Sequence, residues 1–189
     1  MYNTSRTRIL VECALLLALG TVLAQIKLFR MPSGGSVTAA SMVPFIMVSF
    51  RHGTKWGVIT GIANCLLQIL LGGLYTPPAG TFIALVGSIA FDYAIAYIAL
   101  GFADMFAKPF GKEKRTAGIL FGTFMVCLIR FLCGFISGFL IWASLAADGF
   151  GAVVYSLGYN ASYLVPETAI TMLVMFVLYK KAPSLFSAK

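Results

Sequence analysis

Three ionisable residues stand deep inside apolar runs: Asp92, Arg130 and Glu167. Even on translocon scales, an Asp or Arg at a helix centre in a membrane costs roughly 2.5–3.5 kcal/mol. Each therefore needs a partner, a ligand, or both. Tyr155, Tyr159, Tyr163 and Glu167 recur at i, i+4, i+8 and i+12, a slowly turning stripe on one helix, with Ser156 and Asn160 on its flank. Pro166 removes a backbone donor there and is expected to bend the helix. Arg130, Gly134, Gly138 and Trp142 make a second row, whose glycines are expected to leave room beside the Arg. One explanation is structural: an Asp92–Arg130 pair that stabilises a bundle, with Tyr155 and Trp142 in an interfacial aromatic belt. The other is a binding site, which Asn160 and Glu167 favour, and Asp92 and Arg130 can serve both. Such a pocket suits a small, flat, cationic or amide-bearing molecule. Aromatic faces attract a cation, and Asn with a carboxylate can fix a nitrogen heterocycle by paired hydrogen bonds.

Catalytic chemistry finds little to build on. The single histidine, His52, falls in a short turn, so neither a Ser/His/Asp nor a Cys/His constellation can be assembled and a His-based metal centre is excluded. Cys13, Cys65, Cys127 and Cys133 lie in apolar segments without a CxxC pair and read as small buried hydrophobes. No GxxxxGK[ST] loop is present, so any ATP-driven work must draw on another polypeptide. The sequence therefore implies no enzyme, no catalytic residue, no metal and no cofactor.

The elements that must position these residues are membrane helices. Of 189 residues 60% are hydrophobic and 11% charged, against roughly 25% charged in a soluble domain. A soluble chain this short cannot bury so much apolar surface. Apolar segments run over residues 8–29, 37–50, 55–74, 81–106, 117–146 and 152–179. The second is short for a crossing of about 20 residues and is expected to lie partly within the protein. The turns between them (Met31–Gly35, Arg51–Gly53, Gly72–Gly80, Lys108–Arg115, Asp148–Gly151) are too brief for a soluble domain, so residues 1–189 read as one membrane domain. Arg6 and Arg8 before an apolar run resemble a signal peptide, but Val11 to Phe29 is long enough to span, and a retained first helix is expected.

The net charge of +8 reflects topology rather than nucleic acid, because the basic residues flank apolar runs. With the N-terminus inside, the cytoplasmic side holds Arg6, Arg8, Arg51, Lys55, Lys108, Lys112, Lys114, Arg115, Lys180, Lys181 and Lys189; the outside holds only Lys27 and Arg30. That bias supports an even number of crossings. The expected fold is an all-α membrane protein, a six-transmembrane-helix bundle with cytoplasmic N- and C-termini. Asp92 lies about eleven residues into the fourth segment, roughly 16 Å deep, and the polar groups gather in the outer half of the bundle. Gly57/Gly61, Gly118/Gly122 and Gly134/Gly138 have the spacing of close helix packing. Ala14 and Ala18 repeat it on the first helix, which a six-helix bundle readily leaves exposed to a partner.

These motifs resemble the thiamine-specific S component of energy-coupling factor (ECF) transporters over essentially the whole chain. The resemblance rests on Met31-Pro-Ser-Gly-Gly-Ser-Val-Thr38, Pro44 through Ser49-Phe-Arg-His-Gly53, Phe91-Asp-Tyr93, Arg130 to Gly138 with Trp142, and above all Tyr155-Ser-Leu-Gly-Tyr-Asn-Ala-Ser-Tyr-Leu-Val-Pro166. It implies a six-helix bundle in the bacterial cytoplasmic membrane, a vitamin pocket near the outer face, and docking on a transmembrane T component with two ATPase subunits. By position, Asp92 takes the acidic place facing the aminopyrimidine, Tyr93 adjoins it, Trp142 takes the stacking aromatic, and Tyr155 and Asn160 match polar contacts from helix six. Arg130, Gly134, Tyr159 and Glu167 complete the expected substrate site. Ala14 and Ala18 fall on the family's contact with the T component. The outer loops, chiefly Met31–Gly35 and Leu74–Gly80, are expected to close over the ligand. The chain departs from the family pattern at Gly134, where a histidine is usual, at Asp92, where some members have Glu, and near Gly35, where some have Trp. A thiamine precursor or analogue, or another vitamin, is the alternative ligand. A non-transporting membrane scaffold is the alternative of a different class.

Overall fold

The computed structural model describes residues 6–31, 34–111, 113–142 and 149–187. Pro32, Ser33, Lys112, Ala143–Asp148 and Lys189, which figure in the expected turns, segment ends and charge bias, lie outside the described residues. Six helices form the bundle: α1 (Arg6–Gln25), α2 (Met42–His52), α3 (Thr54–Gly72), α4 (Phe82–Phe110), α5 (Arg115–Leu140) and α6 (Gly149–Lys181). All but α2 are long and apolar enough to cross a membrane.

The ends of the first two apolar segments depart from expectation. Lys27–Arg30 and Ser36–Thr38 leave the helices and pair as an antiparallel hairpin, β1 and β2, with Lys27 opposite Thr38 and Arg30 opposite Ser36. A strand's backbone bonds are satisfied by its partner, so the apolar Leu28 and Phe29 did not require a helix. With its ends removed, α2 has 11 residues, about 16 Å at 1.5 Å each. Every residue from Met42 to Phe50 is buried. α2 is thus an internal post, its Phe45, Ile46 and Phe50 meeting Leu100 of α4, Ile119 and Val126 of α5 and Met175 of α6 in the core. Gly53, at φ 86°, permits the one-residue turn into α3.

The small-residue pairs make the close approaches that lipid-embedded packing needs. A Cβ on Gly57 would sit 2.7 Å from the Gly101 carbonyl oxygen, and one on Gly61 would sit 2.7 Å from that of Tyr97. Gly118 and Gly122 bring α5 against the Ala107 and Ala103 carbonyls of α4. Where α4 meets Gly57 it tightens to a 3₁₀ turn over Ala99–Phe102. Ser49 stitches the crossing, donating to Gly101 O at 2.6 Å and accepting from Asp104 N at 3.0 Å. By contrast Ala14 and Ala18 are exposed on α1, among exposed Leu15, Leu19 and Val22.

Helix direction alternates, so the bundle has two unlike ends. One carries the hairpin, the α3–α4 loop and the Trp142 end of α5. The other carries the basic residues of both chain ends and of the turns after α2 and α4. There Glu12 is paired: its carboxylate meets Arg8 at 3.1 Å, Arg51 at 2.5 Å and His52 Nε2 at 2.9 Å. Arg51 also caps the short turn Pro183–Phe186 through the carbonyls of Ser184, Leu185 and Ser187.

Because Gly101 meets backbone, no side chain can move aside for a larger residue. Gly101→Val should lower the melting temperature in detergent markedly, an overpacking cost of about 1–3 kcal/mol or more. Ala14→Leu, on the exposed face, should leave it within error. A stable Gly101→Val protein would show that the α3–α4 crossing is loose.

Candidate functional site

A cavity of about 250 Å³ opens at the hairpin end. All six helices reach it: α1 at Ala24 and Gln25, α2 at Met42 and Phe45, α3 at Gln68 and Gly72, α4 from Ser88 to Tyr97, α5 from Arg130 to Gly138 with Trp142 just past its end, and α6 from Tyr159 to Glu167. The hairpin adds Lys27, Gly34, Gly35, Ser36 and Thr38, and the loop after α3 adds Tyr75. Among the expected site residues, Asp92, Tyr93, Arg130, Gly134, Trp142, Tyr159, Asn160 and Glu167 all line it.

Tyr155 does not line it. It is exposed and stacks on Tyr159, ring centroids 5.9 Å apart. At 100° per residue each step of four rotates about 40° around the helix. The stripe therefore turns away from the cavity at its Tyr155 end, while Tyr159, Tyr163 and Glu167 face it.

Asp92 and Tyr93 occupy a π-helical stretch, Ile89–Ile95. Such a stretch widens the helix and re-aims its side chains, and it is frequent at functional sites. Three donors converge on Asp92 Oδ2: Ser88 Oγ at 2.7 Å, Ser137 Oγ at 2.7 Å and Trp142 Nε1 at 3.4 Å. The carboxylate is held from α4 and α5 at once, and its second oxygen has no hydrogen bond among the described residues. Tyr93 donates to Gly73 O and accepts from Tyr75 N, both at 3.3 Å, tying the loop after α3 to the same segment.

The sequence left Arg130 open to pairing with Asp92, Glu167 or both, and it forms neither ion pair among the described residues. Its guanidinium lies over the Tyr97 ring, 4.5 Å from the centroid, and its Nη1 is buried without a hydrogen-bond partner. A planar cation on an aromatic face is stabilised by the ring quadrupole. Two hydroxyls and the indole N–H meet Asp92 instead.

Gly134 and Gly138 make room for α6 rather than for Arg130. A Cβ on Gly134 would lie 2.5 Å from Asn160 Oδ1, and Gly138 sits against Ser156 and Asn160. Asn160 fits between the helices and donates to Gly134 O at 3.1 Å and to Ser156 O at 2.9 Å, while accepting from Tyr163 Oη at 2.9 Å. Both amide hydrogens are thus committed, and the side chain keeps one oxygen lone pair for anything else. Glu167 is likewise committed: it accepts from Thr38 N and Thr38 Oγ1, each at 2.5 Å, across from the hairpin.

The site residues that sequence reasoning missed are Ser88, Ser137, Gln68, Tyr75, Tyr97 and the hairpin itself. Ser88 stands four residues before Asp92, a spacing that could have flagged it. Ser137 and Tyr97 come from other turns and helices, and only the packing unites them.

A helical membrane bundle with a polar cavity at one end, walled by aromatic rings and a fixed carboxylate, is a small-molecule-binding membrane protein. The family model described as Thiamine transporter protein (Thia_YuaJ) matches residues 10–187, and the chain belongs to that family. It is 31% identical to the thiamine transporter ThiT of Bacillus subtilis (strain 168) over 188 residues, 95% of this chain and 94% of the relative. It is 29% identical to the ThiT of Lacticaseibacillus paracasei over 163 residues, 78% and 75% of the two chains. The fold matches a solved ThiT from Listeria monocytogenes (TM-score 0.74, 22% identity, 96% of this chain and 98% of that one). It also matches the S component of a bacterial ECF transporter (TM-score 0.64, 17% identity, 95% and 98%).

Gly134→Ala should push Asn160 out of its slot and lower the melting temperature, by an overpacking cost of about 1–3 kcal/mol. Gly158→Ala, in open space on the same α6 helix, should raise stability by about 0.5–1 kcal/mol. Thermal unfolding in detergent checks both; equal behaviour would mean that Asn160 moves freely.

Proposed function

We propose that this chain is the substrate-binding S component of an ECF-type thiamine importer in the bacterial cell membrane. It captures thiamine outside and works with a transmembrane T component and two ATPase subunits. It is a transport subunit and not an enzyme. The observation that carries this reading is the cavity built around Asp92 in a chain of the thiamine transporter family.

The chemistry fits a cationic two-ring ligand. The Asp92 oxygen left without a hydrogen bond is available to accept from an exocyclic amine, while Ser88, Ser137 and Trp142 fix the carboxylate's orientation in advance. Preorganisation of this kind reduces the ordering cost of binding. The aromatic faces of Trp142 and Tyr159 offer stacking surface to the pyrimidine and cation–π attraction to the thiazolium. Tyr93 and Arg130 are polar contacts for the remaining hydroxyl end, and Asn160 contributes its one spare lone pair. Tyr155 serves by stacking on Tyr159, and Gly134 by admitting Asn160. Apart from Lys27 and Arg30 of the hairpin and Arg130 within α5, the basic residues stand towards the end opposite the cavity, and the positive-inside bias supports cytoplasmic termini and an outward-facing cavity. The exposed Ala14/Ala18 face of α1 offers small residues and apolar surface for helix–helix docking on the T component.

A thiamine titration followed by tryptophan fluorescence should show saturable quenching that disappears in Trp142→Phe, with Trp56 a steady background. Asp92→Asn should weaken binding by about a hundredfold, in line with the loss of a charge-assisted hydrogen bond in a desolvated site. Full affinity in Asp92→Asn would remove the carboxylate from the site. Thiamine phosphates and the isolated pyrimidine, run in competition, separate thiamine from its precursors and analogues; no binding by fluorescence or calorimetry would favour a scaffold.

Ala14→Trp should abolish co-purification of the T component and ATPases while thiamine binding is retained. An intact complex would move the docking face elsewhere.

A further inference from the structure

We infer that Glu167 is a positioning residue that anchors the β1–β2 hairpin as a wall of the binding cavity, rather than a group that binds substrate directly. The inference rests on the reading of the cavity as the substrate site. Glu167 is 3% exposed in the middle of α6, a place where an unpaired carboxylate is costly. Among the described residues, its hydrogen bonds all go to one short stretch of chain. Oε2 accepts from the Thr38 backbone N–H, Oε1 from the Thr38 hydroxyl, and Ser41 Oγ stands 3.5 Å from Oε1.

Thr38 ends β2, where the hairpin rejoins the bundle. The link to α2 passes through Ala40, which holds φ 61°, a left-handed conformation rare for a residue with a side chain. Local bonds keep this corner in place: Ala39 N donates to Ile26 O, Ala40 N to Thr38 O and Val43 N to Ala40 O. The carboxylate thus fixes the root of the hairpin at its sharpest point. Two turns earlier on the same helix, Tyr159 Oη accepts from Gly35 N at 3.0 Å and holds the tip. There Gly35 lies so close to the Tyr163 ring that a Cβ would come within 2.7 Å. Root and tip are both fastened to α6, and Ser36 between them and Thr38 at the root line the cavity.

Loosening the root frees a wall of the cavity without touching Asp92, Trp142 or Asn160. The consequence is faster escape of a bound molecule, with little change in the rate of arrival. A direct substrate contact by Glu167 would instead act independently of Thr38.

The test is a double-mutant cycle on the full chain in detergent with Glu167→Gln and Thr38→Val, read two ways. Hydrogen–deuterium exchange of residues 34–41 without ligand should accelerate in each variant, and the double variant should exchange no faster than the quicker single one. Thiamine dissociation, measured by chase, should speed up about tenfold in each single variant and no further in the double, with association within about twofold of wild type. Additive losses, or unchanged exchange in the hairpin, would overturn the inference. Thr38→Val exchanges the hydroxyl for a methyl, keeps the backbone N–H bond to Glu167, and decides the matter by itself if Glu167→Gln is not recovered folded. Exchange needs no ligand, so a wild type that fails to bind thiamine would sink the functional reading while the anchor is still judged.

Discussion

Hydrocarbon offers no hydrogen bonds, and that constraint shapes everything else in this molecule. Each backbone group must find a partner inside the chain, which leaves helices for the spans. Polar side chains are stabilised in the same way, as Ser49 is by Gly101 O and Asp104 N. Helices are brought together by small residues instead of by hydrophobic exclusion, because lipid tails are as apolar as leucine. Gly57 against Gly101, and Gly122 against Ala103, are where this is done. A bundle so tightly closed at these crossings opens its polar cavity at the hairpin end, beside Asp92.

Within that cavity the polar groups divide into those already satisfied and those left open. Asn160 and Glu167 are satisfied, the one by α5 and the other by the hairpin. Asp92 has three donors on a single oxygen, and Arg130 leans on Tyr97 with one nitrogen unmet. The two charged groups share a cavity without sharing a hydrogen bond. An ion pair would have neutralised both and left little to attract a ligand. Holding the acid with hydroxyls and the base with a ring keeps each charge in place and available.

Much of this was legible in the residues, for identifiable reasons. Hydropathy marked the spans because their length is set by the bilayer. Charged residues in apolar runs marked Asp92, Arg130 and Glu167 because their cost demands an explanation. What hydropathy cannot see is the backbone's choice. Ile26, Leu28 and Phe29 continue the apolar run of α1, yet they lie beside or within a strand, and only the β-branched Val37 and Thr38 hinted at its partner. The π-helical stretch at Asp92 left no mark in composition, since an extra residue in a turn changes no residue type. The stripe on α6 misled at Tyr155 because a repeat of four does not close on a helix of 3.6. Opposite charges made an Asp92–Arg130 pair one of the alternatives, whereas it is Ser137, a residue with no charge to advertise it, that bonds Asp92.

The arrangement on α6 follows from the same economy. One helix supplies Tyr159 to the hairpin tip, Asn160 to α5, Tyr163 to Asn160 and Glu167 to the hairpin root. Glu167 and Asn160 are seven residues apart, nearly two helical turns, so they face alike. The cavity-lining residues of α6 and the fastening of the hairpin wall are therefore parts of one helix. A ligand that shifts Tyr159 or Asn160 pulls on a helix that also grips the hairpin. Conversely, a displacement of α6 away from α5 at this level breaks the Asn160 bond to Gly134 and the Ser156 bond to Phe135. Pro166 stands next to Glu167 and lacks the N–H that would tie it to the preceding turn, and α6 nonetheless continues as a helix through it. The missing bond falls between the part of α6 that lines the cavity and the part that packs Met175 into the core. Any bending of α6 is thereby directed to the level of the hairpin anchor, and the core below is spared.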